Sequence, residues 1–321
     1  MEIYRSVAEA HGHLPGCAVA IGNFDGVHLG HRRLIDTTRA LAHAGGRKSV
    51  LLTFEPHPAQ VLSPQYAPPR IATLPRKLQL LEEAGLDAVV IQPFDRAYAG
   101  HSPEEFVRGD LIEGLQAADV VVGHDFTFGK GRAGNVTVLA ALAGDDARVH
   151  TIPAVTVEGL VVSSSKIREF VLAGRVAPAC RLLGRPFLLD GKVVPGRGRG
   201  RTIGIPTANV APDTELVPAT GVYAVLAAAE GLEGVHGGAA NIGVKPTFGQ
   251  EEQTVEVHLF DVSPDLYGKR IAVAFLERLR GEARFSGPEE LVAQIRRDIE
   301  QARAIAASYA GPRFGPVGEG A

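Results

Sequence analysis

The chain has 321 residues, 45% of them hydrophobic and 21% charged, a balance that excludes general disorder and a length that suits two domains. Thirty-three basic against 36 acidic residues leave a formal charge of −3, so no global positive field draws the chain onto nucleic acid or an anionic membrane, and a phosphate ligand must be gripped locally. Only Cys17 and Cys180 occur, without CxxC spacing, which excludes a disulfide scaffold and the usual zinc frameworks. Residues 1–10 carry Glu2 and Glu9 and no apolar core, and nowhere do 18 apolar residues run together, so a cytoplasmic protein without signal or membrane span is expected.

Short apolar runs at 17–22, 49–54, 88–91, 119–123 and 149–155 alternate with helix-period stretches at 29–44, 74–84, 103–114 and 165–173. Val89, Val90 and Ile91, like Val120, Val121 and Val122, form continuous apolar runs, which predict parallel strands covered by helices on both faces. Gly184, Arg185 and Pro186 interrupt both periodicities and mark a hinge. From Phe187 the strands alternate between turns, as at 221–226 and 254–260, which predicts an antiparallel sheet or small barrel. One helix closes this half: Pro288 stands at its start, Glu289 and Glu290 lie in its first turn, and Leu291, Ile295 and Ile299 share a face. The expected domains are therefore 1–185 and 186–308, with a disordered Gly- and Pro-rich tail at 309–321.

The most informative stretch runs from Ala18 to His31, a strand, a glycine-punctuated loop and His-x-Gly-His opening a helix. Unpaired N–H groups and the dipole at a helix N-terminus favour an anion. His28 and His31, three apart, can add donors to the same phosphate, and Gly30 between them carries no side chain. A pair of surface histidines is the plainer reading of HxxH alone. A metal site lacks the Glu of HExxH.

Gly22-Asn-Phe-Asp-Gly-Val-His-Leu-Gly-His31 resembles the HxGH signature of the nucleotidyltransferase superfamily, in the form used by bacterial bifunctional riboflavin kinase/FMN adenylyltransferases. Thr53-Phe-Glu-Pro-His-Pro58, Val122-Gly-His-Asp-Phe-Thr-Phe-Gly129 and Ser163-Ser-Ser-Lys-Ile-Arg168 extend the resemblance. It implies a Rossmann-like domain in which Gly22, Asn23, Phe24, Asp25, Gly30 and the catalytic His28 and His31 hold ATP. Ser164 and Ser165, read as helix caps, and Arg168 would join them. His57 and Asp125 would meet the flavin, although His57 can equally shape its loop.

The second half carries Gly196-Arg-Gly-Arg-Gly-Arg201 followed by Thr202-Ile-Gly-Ile-Pro-Thr-Ala-Asn209. Glycine-rich backbone can wrap phosphates, and the Thr207 hydroxyl and Asn209 amide offer the hard oxygens that Mg²⁺ prefers. An RNA-binding Arg-Gly tract is the bland alternative. Gly-x-Pro-Thr-Ala-Asn resembles the PTAN motif of riboflavin kinases, which implies a six-stranded antiparallel barrel with a C-terminal helix. It also implies ATP contacts from Gly196, Gly198, Gly200, Arg201, Thr207 and Asn209, with Thr207 and Asn209 as metal ligands.

Along 254–260, Val255, Val257 and Leu259 share one face and Thr254, Glu256 and His258 the other. Glu256 alone reads as an exposed strand residue; the resemblance makes it the kinase's general base. Leu279-Arg-Gly-Glu-Ala-Arg-Phe285 resembles a flavin-binding stretch, with Arg280, Glu282 and Phe285 as contacts. The implied activity is phosphorylation of riboflavin to FMN, then adenylylation of FMN to FAD. ATP, Mg²⁺ and the flavins are the expected ligands, nucleic acid and membrane are not, and homo-oligomerisation is left open.

Overall fold

The computed structural model describes residues 1–196, 204–247, 250–312 and 314–318. The chain divides into two units, Met1–Pro68 with Leu78–Val162, and Pro69–Lys77 with Ser163–Ala321.

The first unit is built on a six-stranded sheet in the order Glu2–Tyr4, Ala88–Pro93, Ser49–Glu55, Ala18–Ile21, Asp119–Gly123, Arg148–Ile152. Every pairing is parallel. Successive residues feed opposite faces: Val19, Ile21, Val50 and Leu52 pack with Leu111 and Leu139, whereas Ala20, Leu51 and Val89 pack with Ile35 and Leu81. Strands buried on both sides are the cause of the continuous apolar runs. The edge strand Glu2–Tyr4 and the helix Val136–Ala143 are additions to the expected elements. The expected helix at 103–114 is a short α-turn, Pro103–Glu105, capped reciprocally by Ser102 and Glu105, which widens into a π-helix at Phe106–Gly114.

The second unit holds a closed antiparallel barrel in the order Phe187–Val194, Ala208–Pro212, Gln250–Leu259, His236–Thr247, Gly221–Ala229, Arg270–Arg280. Closure removes the exposed edges that an open antiparallel sheet would leave. The helix Pro288–Ala307 lays Ile299, Ala302 and Ile305 against Ala224 and Phe260.

Two features go beyond the expected organisation. By packing, helices Ser164–Leu172 and Val176–Leu183 group with the barrel, upstream of the expected domain start at 186. The Cys180 thiol reaches the Phe275 carbonyl at 3.3 Å. Gly184 is the left-handed C-cap of the second helix, with φ 71°. The tail is also not disordered throughout. Tyr309 and Phe314 pack on Leu188, Leu226 and Ala274, and Val317 is buried. The Gly315 carbonyl accepts from Arg76, itself paired with Asp190, and the Val317 carbonyl accepts from Arg270. Three apolar anchors, with hydrogen bonds from the buried Arg76 and the half-buried Arg270, outweigh the Gly and Pro composition.

Candidate active sites

In the first unit, the strand Ala18–Ile21 runs into a loop with φ of 49° at Phe24, 83° at Gly26 and 39° at Val27 before the helix Leu29–Ala44 begins. The Phe24 ring is fully buried in the core, so any ligand contact there comes from backbone. The Thr53 hydroxyl donates to the Asn23 carbonyl at 3.2 Å, tying the loop to the neighbouring strand. Asp25 and His28 are buried beside it.

His28 is the N-cap of this helix, its Nδ1 accepting the His31 N–H at 3.2 Å. An accepting Nδ1 carries no proton, so the neutral ring's proton is on Nε2, the atom able to donate to a phosphate oxygen. The two imidazoles stack at 3.6 Å between centroids and 12° between planes. Phe24 packs under His31 at 4.9 Å. A Cβ at Gly30 would lie 3.1 Å from His28 Cε1 and 3.2 Å from Nδ1. A side chain there would crowd the capping imidazole, so glycine gives that ring its room.

Ser163 is the N-cap of helix Ser164–Leu172, its hydroxyl accepting the Lys166 N–H at 3.2 Å; the capping expected of Ser164 and Ser165 falls one residue earlier. Ser164 and Ser165 occupy the first turn. Arg168 is buried, and its Nε donates to the Pro69 carbonyl at 2.8 Å. His57 caps the short helix Pro58–Leu62 by accepting the Ala59 N–H, and Asp125 is exposed with its carboxylate turned back over Gly123. Phe54, Phe94 and Tyr98, which sequence reasoning passed over, meet at the carboxyl ends of two strands with centroids 5.7–6.0 Å apart. Burial, chiefly, raises the Tyr98 pKa, and its hydroxyl donates to Asp110 at 2.5 Å.

In the barrel, a cavity of about 840 Å³ brings together Thr207, Glu256, Arg280, Glu282 and Phe285. Val255 and Val257 are buried on one face of their strand, and Glu256 lines the cavity from the other. Glu256 is flanked in register by Asn209 on one neighbouring strand and Asn241 on the other. A second cavity of about 680 Å³ contains Gly204, Pro206 and Asp265, and Thr207 lines both. Asn209 borders neither cavity, but its amide fills the space that a Cβ on Gly196 would occupy. Gly198, Gly200 and Arg201 lie outside the described residues.

Sequence reasoning also passed over Asn241, His258 and Asp298 in the larger cavity. Asp298, 4% exposed on the last helix, receives Arg280 Nη2 at 2.8 Å and Gln294 Nε2 at 2.8 Å. The Arg280 guanidinium lies 5.6 Å from the Phe285 ring centroid. Only the cross-strand pairing and helix docking reveal these neighbours, apart from the alternation that put His258 on the Glu256 face.

The Thr207 hydroxyl, shared by both cavities, and the Asn241 and Glu256 side chains of the larger one offer hard oxygens of the kind Mg²⁺ takes alongside substrate phosphates. Among the described residues, no group of three or more His, Cys, Asp or Glu side chains could hold a metal by itself. No described helix is long and apolar enough to cross a membrane.

The family model described as FAD synthetase matches residues 11–166, and that described as riboflavin kinase matches 183–306. A bifunctional riboflavin kinase/FMN adenylyltransferase from Escherichia coli K12 is 40% identical over 90% of this chain and 92% of its own. One from Bacillus subtilis is 38% identical over 88% and 90%. A crystal structure from Streptococcus pneumoniae, named a macrolide-efflux protein, superposes with TM-score 0.85 at 32% identity, covering 94% of this chain and 98% of that one. With both family models matched in order and the curated relatives aligned over most of their length, the chain belongs to the bifunctional riboflavin kinase/FMN adenylyltransferase family.

Proposed function

We propose that residues 186–308 phosphorylate riboflavin in the barrel and residues 1–185 adenylylate the resulting FMN, with the catalytic residues named above. The observation that carries the kinase assignment is the sharing of Thr207 by two adjacent cavities, one of which holds Glu256, Arg280, Glu282 and Phe285. The larger cavity suits the flavin, and the smaller one the nucleotide, so the phosphoryl group crosses at their common wall. Thr207 and Asn209 would hold Mg²⁺, which when bound neutralises charge on the ATP phosphates. Glu256 accepts the proton of the ribityl 5′-hydroxyl as that oxygen bonds to the γ-phosphorus and the bond to the ADP oxygen breaks.

In adenylylation the FMN phosphate oxygen attacks the α-phosphorus of a second ATP and pyrophosphate leaves. An anionic nucleophile needs no strong base, so His28 and His31 serve as donors to developing charge. Phe54, Phe94 and Tyr98 provide an aromatic wall suited to a flavin ring. We place the enzyme in the cytoplasm, in keeping with its two free cysteines.

Chromatography of flavins after incubating the protein with riboflavin, ATP and Mg²⁺ tests the reading. FAD is expected. FMN alone would leave only the kinase, and unchanged riboflavin would overturn both assignments.

A further inference from the structure

The Pro206–Thr207 wall stands at the end of a strand ladder. Pairing between Ala208–Pro212 and Gln250–Leu259 runs from Val210 opposite Val255 to Ala208 opposite Val257, so Pro206 and Thr207 extend past the last paired residue. The hydrogen bond that the ladder no longer supplies comes from a side chain: His258 Nδ1 lies 2.8 Å from the Pro206 carbonyl oxygen. A carbonyl only accepts, so Nδ1 carries the proton and donates. The imidazole packs edge-on against Phe260 at 5.9 Å, and Phe260 is buried beneath Arg303. The donor is thus held in place before any ligand arrives.

We infer that His258 is a positioning residue of the kinase, whose hydrogen bond to the Pro206 carbonyl fixes the Pro206–Thr207 peptide and thereby aims the Thr207 hydroxyl at the metal–nucleotide complex. The inference rests on the reading of Thr207 as a Mg²⁺ ligand. His258 reaches the metal only through Thr207, so its loss weakens Mg²⁺-dependent nucleotide binding and leaves the affinity for riboflavin in place.

Two measurements test this: the Mg²⁺ dependence of FMN formation, and calorimetry of ADP binding with and without Mg²⁺, which requires no turnover. His258→Leu and His258→Gln, which lack a donor where Nδ1 stands, are expected to raise the half-maximal Mg²⁺ concentration about tenfold, as for a lost hydrogen bond to an enclosed carbonyl. They should weaken ADP binding only when Mg²⁺ is present. His258→Asn, whose amide nitrogen can occupy the Nδ1 position, should stay within about threefold of the parent. Melting temperature and FAD formation from supplied FMN report folding, and the Gln variant carries the test if the Leu variant does not fold.

Parent-like Mg²⁺ dependence in both variants, or a His258→Asn enzyme as impaired as His258→Leu, overturns the inference. Thr207→Ala separates the two levels. If it leaves Mg²⁺ dependence unchanged, the metal assignment itself is wrong; if it shifts the dependence and the His258 variants do not, only the positioning role fails.

Discussion

The parallel-sheet unit and the barrel, for which we propose the same task of holding a nucleotide phosphate, make opposite uses of the strand. In the first unit the strands are covered on both faces and their side chains are spent on the core, as for Val19, Ala20 and Ile21. Chemistry falls to the segment beyond the strand end: the 22–28 loop and the first turn of Leu29–Ala44. In the barrel one face of a strand packs inward while the other lines a cavity, so Glu256 sits within the strand between buried Val255 and Val257. A parallel α/β sheet presents backbone donors at its ends, whereas an antiparallel barrel presents side chains along its faces.

The largest effect that sharpens this contrast is expected at Glu256. Glu256→Gln keeps the size and hydrogen bonding of the side chain but removes its basicity, and should lower FMN turnover by roughly 10² to 10⁴. Steady-state kinetics on riboflavin, with adenylylation of supplied FMN as internal control, measures it. Turnover within a few-fold of the parent would reduce Glu256 to a strand residue that happens to border a cavity.

Next in size are His28→Ala and His31→Ala, each expected to slow FAD formation on the order of a hundredfold while FMN formation continues. His28 has the additional capping role, so its variant should also lose about 1 kcal/mol of stability, visible in chemical denaturation. His31→Ala retains the imidazole cap. Equal loss of both activities in a folded variant would contradict the division of labour between the two units.

The smallest expected effect lies at the other end of the parallel sheet, remote from the 22–28 loop. The Asp119 carboxylate is fully buried and receives Arg47, Arg148 and His150. Burial by itself would raise its pKa, but hydrogen bonds from His150, Arg47 and Arg148 win and hold it below the ordinary 3.8. A lowered folded-state pKa contributes stability above the unfolded value, and that contribution is lost as pH falls through the folded value. Asp119→Asn should therefore cost about 2 kcal/mol near neutrality, and its melting curve should converge on the parent's below pH 3.8. A gap that persists at full size well below that pH, where the carboxylate is protonated in both states, would show that its charge plays no part.

The HxGH loop was legible because its chemistry is local. Strand, turn and helix start succeed one another within fourteen residues, 18–31, and each obeys its own short-range rule. Its internal geometry was not legible: that Nδ1 of His28 caps its own helix, and that Gly30 makes room for that ring, depend on rotamers. The misplaced cap at Ser163 has the same origin, since three consecutive serines satisfy the capping rule equally and the backbone turn chooses among them. The π-helix at Phe106–Gly114 escaped because its apolar pattern over so few residues passes for an α-helix.

Sequence alone determined the order of the two folds, the positions of the main strands in the parallel sheet, the alternation that turns Glu256 away from the valines, and the motifs that carry the family resemblance. All of these are properties of neighbours along the chain. Tertiary structure decided the rest: that the two helices after Ser163 join the barrel, that residues 314–318 return to cover it, and that Thr207, Glu256, Arg280 and Asp298 surround one space. Those residues come from three barrel strands or their ends and one helix, spread over positions 207–298, and strand register and helix docking bring them together. Hydrophobic burial supplies that convergence, and burial is a property of the assembled core that local periodicity only foreshadows.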